Sequence, residues 1–278
     1  MKKYTYKIEN GQRKGIIHTQ RGNINTPTFM PVTTFGDKYP LDKLVRPYLK
    51  RLSQCIMVSY YYAQFMEERP NMPMFIDSGG FASIFEGATI VENKKCASIK
   101  TNEEEIHPLK VLEFQEENAD LAATLDFIIS PKMDLAEAKR RQKLTIKNAL
   151  YALEQKRSND LILFASLQCW DKKSARECAR EYAQAGFDGI AIGGLVPRVK
   201  DEDYVKRIVS VVKEEALDLA VHVFGIGKPE LILKLKKMSV DSFDSSSYIK
   251  STISKNANNS QFMKLSSAIK NLELLASQ

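Results

Sequence analysis

The feature that most constrains this chain is an alternation that persists through most of its length. Short apolar runs are followed by longer segments with apolar residues at helical spacing. The runs are 55–59 (CIMVS), 74–77 (MFID), 121–126 (LAATLD), 161–168 (LILFASLQ), 189–193 (GIAIG), 221–225 (VHVFG) and 240–244 (VDSFD). Of the helical segments between them, 135–157 carries basic residues between its apolar positions, and 173–186 closes on Gly186, a residue suited to a C-cap. Segment 201–216 opens with acids, which suit a helix N-terminus, and 228–238 has Pro229 in its first turn.

Strand–helix units in series call for a parallel sheet covered by helices. Seven or eight units in 278 residues predict an α/β fold, an irregular (β/α)8 TIM barrel. A doubly wound open sheet is the alternative that the pattern leaves open. Residues 1–35 alternate, contain turn signals and precede the repeat, so they are read as a small N-terminal antiparallel β cap. Residues 251–278 are polar and then helical, a C-terminal helical tail that would complete the outer ring. No internal linker or low-complexity stretch divides 1–278, which is read as a single domain.

Composition narrows the function classes. The chain is 44% hydrophobic and 27% charged, ordinary for a soluble protein. No apolar stretch approaches the ~20 residues of a membrane span, and the basic N-terminus lacks the apolar core of a signal peptide. The expectation is a cytoplasmic protein with no membrane partner. Four cysteines and three histidines are scattered, with no close-spaced metal or redox pair, so no metal and no cofactor is expected. A net charge of +7, with clusters such as Lys139, Arg140, Arg141, Lys143 and Lys147, is compatible with a polyanionic partner. Solvated helix faces would account for the same charges.

In a parallel barrel, chemistry sits at the C-terminal ends of the strands. Those ends carry Asp77, Asp126, Gln168, the Gly193–Gly194–Leu195 turn, the turn from Gly225, and Asp244. A single strand-ending aspartate is commonly a cap or turn former; six polar or glycine-rich strand ends converging on one mouth suggest a site. That mouth is expected to hold no histidine, no serine triad and no GxxxxGK phosphate loop. Two carboxylates can serve as nucleophile and acid at an acetal-like carbon. A third, with Gln168 and backbone amides, can read the donors and carbonyl of a purine. Gly79 and Gly80 would admit backbone close to a flat ligand, and Phe81 and Phe224 could sandwich it, although Phe81 could equally be core packing.

At these residues the sequence resembles the tRNA-guanine transglycosylase family. TPTFMPVTT (26–34), DSGGF (77–81), GIAIGGLVP (189–197), VFGIGKPELIL (223–233) and VDSFDSSSY (240–248) follow the family's motifs in order, the last in a form closer to archaeal members. The resemblance implies an exchange of guanine for a 7-deazaguanine base. Asp244 would be the nucleophile at the sugar C1′ and Asp77 the general acid/base. Asp126, Gln168 and the Gly194–Leu195 backbone would hold the purine edge, with Phe81 and Phe224 on its faces. Where the family has Asp-Glu, this chain has Asp126-Phe127, and Ala82 replaces a family glutamine. The family's C-x-C-x-x-C…H zinc subdomain should follow the nucleophile segment, yet no cysteine or histidine follows Asp244. Loss of that subdomain favours DNA as the polymer, as in DNA-guanine transglycosylases of 7-deazaguanine modification systems, and leaves tRNA as the rival. An accessory protein or a homodimer could supply a missing RNA-holding surface. The stretch 196–200 contains no acid and two bases, Arg198 and Lys200, which favours neutral preQ0 over cationic preQ1. A non-catalytic binding subunit and a free-sugar glycosidase are the remaining alternatives.

Overall fold

The computed structural model describes residues 2–36, 39–216, 218–255 and 259–278. Eight parallel strands close into a barrel: Thr28–Thr33, Ile56–Val58, Met74–Ile76, Leu121–Ala123, Ile162–Leu167, Gly189–Ile192, Ala220–Val223 and Ser242–Ser245. The eighth strand returns to the first, with Asp244 opposite Met30. The α/β barrel therefore stands, and the open-sheet alternative does not.

One boundary differs from the sequence reading. Thr28–Thr33, assigned there to the cap, is the first stave of the barrel, paired in parallel with strands two and eight. The cap is the antiparallel sheet Tyr4–Glu9, Gln12–Thr19 and Gly22–Thr26. Its Ile17 and Ile24 are fully buried against Cys55, Leu121, Ile162 and Ala220, at the N-terminal ends of the strands. The cap thus plugs the bottom of the barrel and leaves the top free. Above the plug, Phe75, Phe164 and His222 fill the interior, with Phe75 5.2 Å from Phe164 and 5.0 Å from His222 between ring centres. They come from strands three, five and seven, as expected when alternate strands supply each interior tier.

Helices cover the outside. Helices Leu135–Gln155, Lys172–Ala185, Glu202–Glu215 and Pro229–Lys237 fall where helical spacing placed them. Gly186 does adopt the left-handed C-cap conformation, at φ 90°. Helix Gln261–Ala276 buries Ala268, Leu272 and Leu275 and closes the ring over the first strand. A second antiparallel sheet, Thr89–Glu92, Ala97–Lys100 and Glu105–Ile106, is inserted after the third strand and was not foreseen. No described helix is long and apolar enough to cross a membrane.

Candidate active site

The top of the barrel assembles two halves. The first is built on the turn after strand three. Asp77 Oδ1 accepts from the backbone N–H groups of Gly79 (2.8 Å) and Tyr60 (3.0 Å). Buried Gln115 donates to the carbonyls of Ile76 and Asp77 and locks the strand end in place. Gly79 is left-handed, at φ 72°, which turns the next residue under the loop after strand four. A Cβ on Gly80 would lie 2.0 Å from Asp126 Oδ1, so only glycine fits there. Gly80 is thus needed less to clear room for a ligand than to let the Asp126 carboxylate dock.

Asp126 is buried and held from both sides. Ser78 Oγ donates to its Oδ1 (2.7 Å) and Gln168 Nε2 to its Oδ2 (2.6 Å). Gln168 Oε1 accepts from Ile129 N–H, 3.2 Å away. The carboxamide lies against the Gly193–Gly194 turn, where a Cβ on Gly193 would sit 2.2 Å from Nε2. Both side chains are therefore fixed before any ligand arrives. Each keeps capacity for one: a second hydrogen on Nε2, and a second lone pair on each carboxylate oxygen. Leu195 is buried, and its carbonyl accepts from Arg198 N–H (2.8 Å). The Gly194 carbonyl accepts from Arg198 Nη1 (3.1 Å).

The second half is built on strands seven and eight. Asp244 lies inside strand eight rather than closing it, and its side chain is buried in the barrel mouth. Its Oδ1 accepts from Gly225 N–H (3.0 Å) and meets His222 Nε2 at 3.0 Å. His222 Nδ1 in turn lies 2.8 Å from Ser242 Oγ. This contradicts the expectation of a mouth without histidine: His222, fully buried, stands directly behind a carboxylate. Oδ2 of Asp244 has no hydrogen-bond partner among the described residues, so the carboxylate is oriented through one oxygen and presents the other.

The aromatic residues separate. Phe224 packs on His222 (4.8 Å) and faces Phe75 (6.3 Å). Phe81 is 63% exposed on the short helix Gly80–Ile84, and its ring meets Phe85 at 5.8 Å rather than Phe224. A preformed sandwich is therefore not what the fold provides; one ring lines the interior and the other stands on the rim. The two halves of the site meet at Phe75, which touches both rings of the second half and lies two residues before Asp77.

The electrostatics distinguish the carboxylates. Burial pushes the Asp77 carboxyl up to about 6, and the Asp126 charge adds to the shift. The N–H groups of Gly79 and Tyr60 and the Ser59 hydroxyl pull the other way. Burial also raises Asp126, against its bonds from Ser78 and Gln168. A carboxyl near 6 can hold or release a proton close to neutral pH. No described group of three or more His, Cys, Asp or Glu side chains is arranged to hold a metal ion. Among the described residues, then, no side-chain set fits the zinc site of the family resemblance.

A family model, queuine tRNA-ribosyltransferase, matches residues 9–272. The chain belongs to that family. A tRNA-guanine(15) transglycosylase of Methanocaldococcus jannaschii is 25% identical over 246 residues, covering 85% of this chain and 37% of that protein. Queuine tRNA-ribosyltransferases of Helicobacter acinonychis and Saccharophagus degradans are 27% and 26% identical over 263 and 255 residues, covering 70% and 67% of those proteins. The chain thus spans little more than a third of the archaeal relative and about two thirds of the bacterial ones.

His222, Ser78 and Gln115 escaped the sequence reading. His222 and Ser78 sit inside motifs that had been singled out, VHVFG and DSGGF, so their positions were in view. What was missing was the pairing across strands that turns a buried histidine toward Asp244.

Proposed function

We propose that this chain exchanges guanine for a 7-deazaguanine in a nucleic acid through a covalent glycosyl intermediate on Asp244. The observation that carries this reading is the asymmetric hold on that carboxylate. Two N–H groups, from Gly225 and His222, take Oδ1 and aim Oδ2 into the mouth, which is what an attack on the sugar C1′ requires. The bond from C1′ to the purine nitrogen breaks as the bond to Oδ2 forms, and the departing guanine takes a proton. The incoming base then loses a proton as its nitrogen displaces Asp244. Asp77, with its carboxyl near 6, supplies and recovers these protons. Asp126 and Gln168 hold the base edge by their remaining lone pairs and hydrogen, and Phe224 and Phe81 offer ring faces. The target base must be unpaired or flipped, because C1′ and the base edge are otherwise closed to a buried site.

The incoming base in this reading is neutral preQ0. Residues 196–200 offer no carboxylate to a cation, and the Arg198 guanidinium already lies on the carbonyls of Gly194 and Ile129. DNA is the favoured polymer. From the nucleophile strand the chain passes through helix Ser247–Lys255 to the ring-closing helix, and among the described residues no zinc ligand set accompanies it. The names of the relatives favour a second reading, in which the polymer is tRNA. The presence of both Asp77 and Asp244 in the mouth speaks against a non-catalytic subunit. The test is competition between equal amounts of single-stranded or duplex DNA and unmodified tRNA for labelled guanine. Label in DNA supports the preferred polymer, and label in tRNA alone rejects it. Label in neither rejects exchange by the isolated chain.

A further inference from the structure

A groove of about 640 Å³ lies between helix Leu135–Gln155 and helix Lys172–Ala185, within the ~300–1,000 Å³ of ordinary ligand sites. It is separate from the barrel interior yet adjoins the mouth through one side chain. Gln142, in its lining, donates from Nε2 to the backbone carbonyl of Gln168 (2.7 Å), and the Gln168 side chain holds Asp126. Trp170, two residues after Gln168, forms part of the wall and is partly exposed. Both helices begin at the top of the barrel, so Lys139 and Lys173 lie toward the mouth end, where Asp171 also lines the groove; Glu177 stands one turn below Lys173 and pairs with it (3.9 Å), and Glu181 lies one turn farther.

The basic cluster at 139–147 divides by its partners. Arg140 and Arg141 bind Glu137, and Lys147 binds Glu92 and the Asn93 carbonyl. Lys139 and Lys143 make no ion pair within 4 Å among the described residues, and both line the groove. Four residues apart on one helix, they share a face, with Cβ atoms about 6 Å apart. An aromatic face beside two unspent ammonium groups is the combination that holds a single-stranded nucleotide, through base stacking and phosphate contact.

We propose that this groove binds a nucleotide flanking the one held in the mouth, its base on Trp170 and its phosphates on Lys139 and Lys143. The proposal rests on the reading of a polynucleotide as substrate. It adds that the substrate strand leaves the mouth single-stranded, between helices Leu135–Gln155 and Lys172–Ala185.

Trp170 is the only tryptophan of the chain, so its fluorescence reports this groove alone. A short guanine-containing single-stranded deoxyoligonucleotide, and RNA of the same sequence as a second arm, would be titrated into the full chain. Saturable quenching, reversed by salt, is expected with the DNA; quenching by the RNA alone would keep the groove and transfer it to the tRNA reading. In anisotropy measurements with labelled oligonucleotide, Trp170→Ala should weaken binding about ten-fold, with Trp170→Phe recovering most of it. Lys139→Ala with Lys143→Ala should lower the log–log salt slope by about 1.4 in total, about 0.7 per lost phosphate contact. Unchanged fluorescence with either polymer at concentrations that saturate the anisotropy, or an unchanged salt slope, would overturn the proposal. Exchange activity with a silent Trp170 would sink the groove alone. Quenching without exchange on any polymer would sink the catalytic reading and leave the groove standing.

Discussion

Buried or half-buried aspartates occupy both ends of this barrel, and their surroundings are opposite. At the bottom, Asp241 accepts from the Tyr4 hydroxyl and from Val221 N–H (2.7 Å), with Arg13 Nε at 3.8 Å and Lys213 Nζ at 3.6 Å. Asp120 meets Arg69 at 2.5 Å and Arg21 at 3.1 Å. At the top, no described lysine or arginine lies within 4 Å of Asp77, Asp126 or Asp244. Backbone N–H groups, two serine hydroxyls, a carboxamide and one histidine hold them instead. A carboxylate neutralised by buried cations is a fastener for the cap. A carboxylate held only by dipoles keeps its charge available for a ligand, at a cost in stability. The same residue type therefore builds one end and equips the other.

The sharpest way to break this contrast is to remove one carboxylate from each end. Asp77→Asn should fold and lose about 10²–10⁴-fold in base exchange, since general acid/base help has that worth. Exchange within a factor of a few of wild type would remove Asp77 from the chemistry. Asp241→Asn should do the reverse. It strands Arg13 and Lys213 without their counter-charge and should cost about 3–5 kcal/mol in chemical denaturation, with exchange per folded molecule unaltered. Gly80→Ala tests the docking of Asp126. A methyl 2.0 Å from Oδ1 should cost about 1–3 kcal/mol and lower exchange as well, whereas a variant as stable as wild type would show that the two loops are not so closely fitted.

The smallest effect is one of pH. The Asp77 carboxyl lies near 6 in the folded chain and near 3.9 in an unfolded one, so the folded state holds the proton more tightly. Its contribution to stability is fully present below about pH 4 and is lost as pH rises through 6. Asn does not titrate, so Asp77→Asn should gain about 1–2 kcal/mol over wild type between pH 4 and 7, allowing for partial solvent contact. Parallel stability curves across that window would show that Asp77 is not perturbed.

What could be read from the sequence follows from period and position. Parallel strands buried on both faces leave unbroken apolar runs, so the residues just beyond them, Asp77, Asp126 and Gln168, were legible as the barrel mouth. The first stave was absorbed into the cap because TPTFMPV continues the hairpin without a helix between. The inserted sheet was invisible because its strands are two to four residues long and interrupted by Asn93, Lys94 and Lys95. His222 read as one more interior residue of VHVFG. Only the register that sets strand seven beside strand eight, His222 opposite Ser242, brings its ring to Asp244. Gly80 reads from the sequence as room for a flat ligand, whereas the atom a side chain there would meet belongs to Asp126, a contact between loops 46 residues apart in sequence.

The central claim is that Asp244, oriented by His222 and Gly225, forms a covalent bond to the sugar. The direct measurement is to incubate the protein with a guanine-containing oligonucleotide, quench in denaturant and look for a protein–nucleic acid adduct by gel and mass spectrometry. Wild type should give an adduct of one oligonucleotide less one guanine, mapped to the peptide carrying Asp244, and Asp244→Asn should give none and exchange no base. An adduct on another residue, or full exchange by Asp244→Asn, would contradict the account.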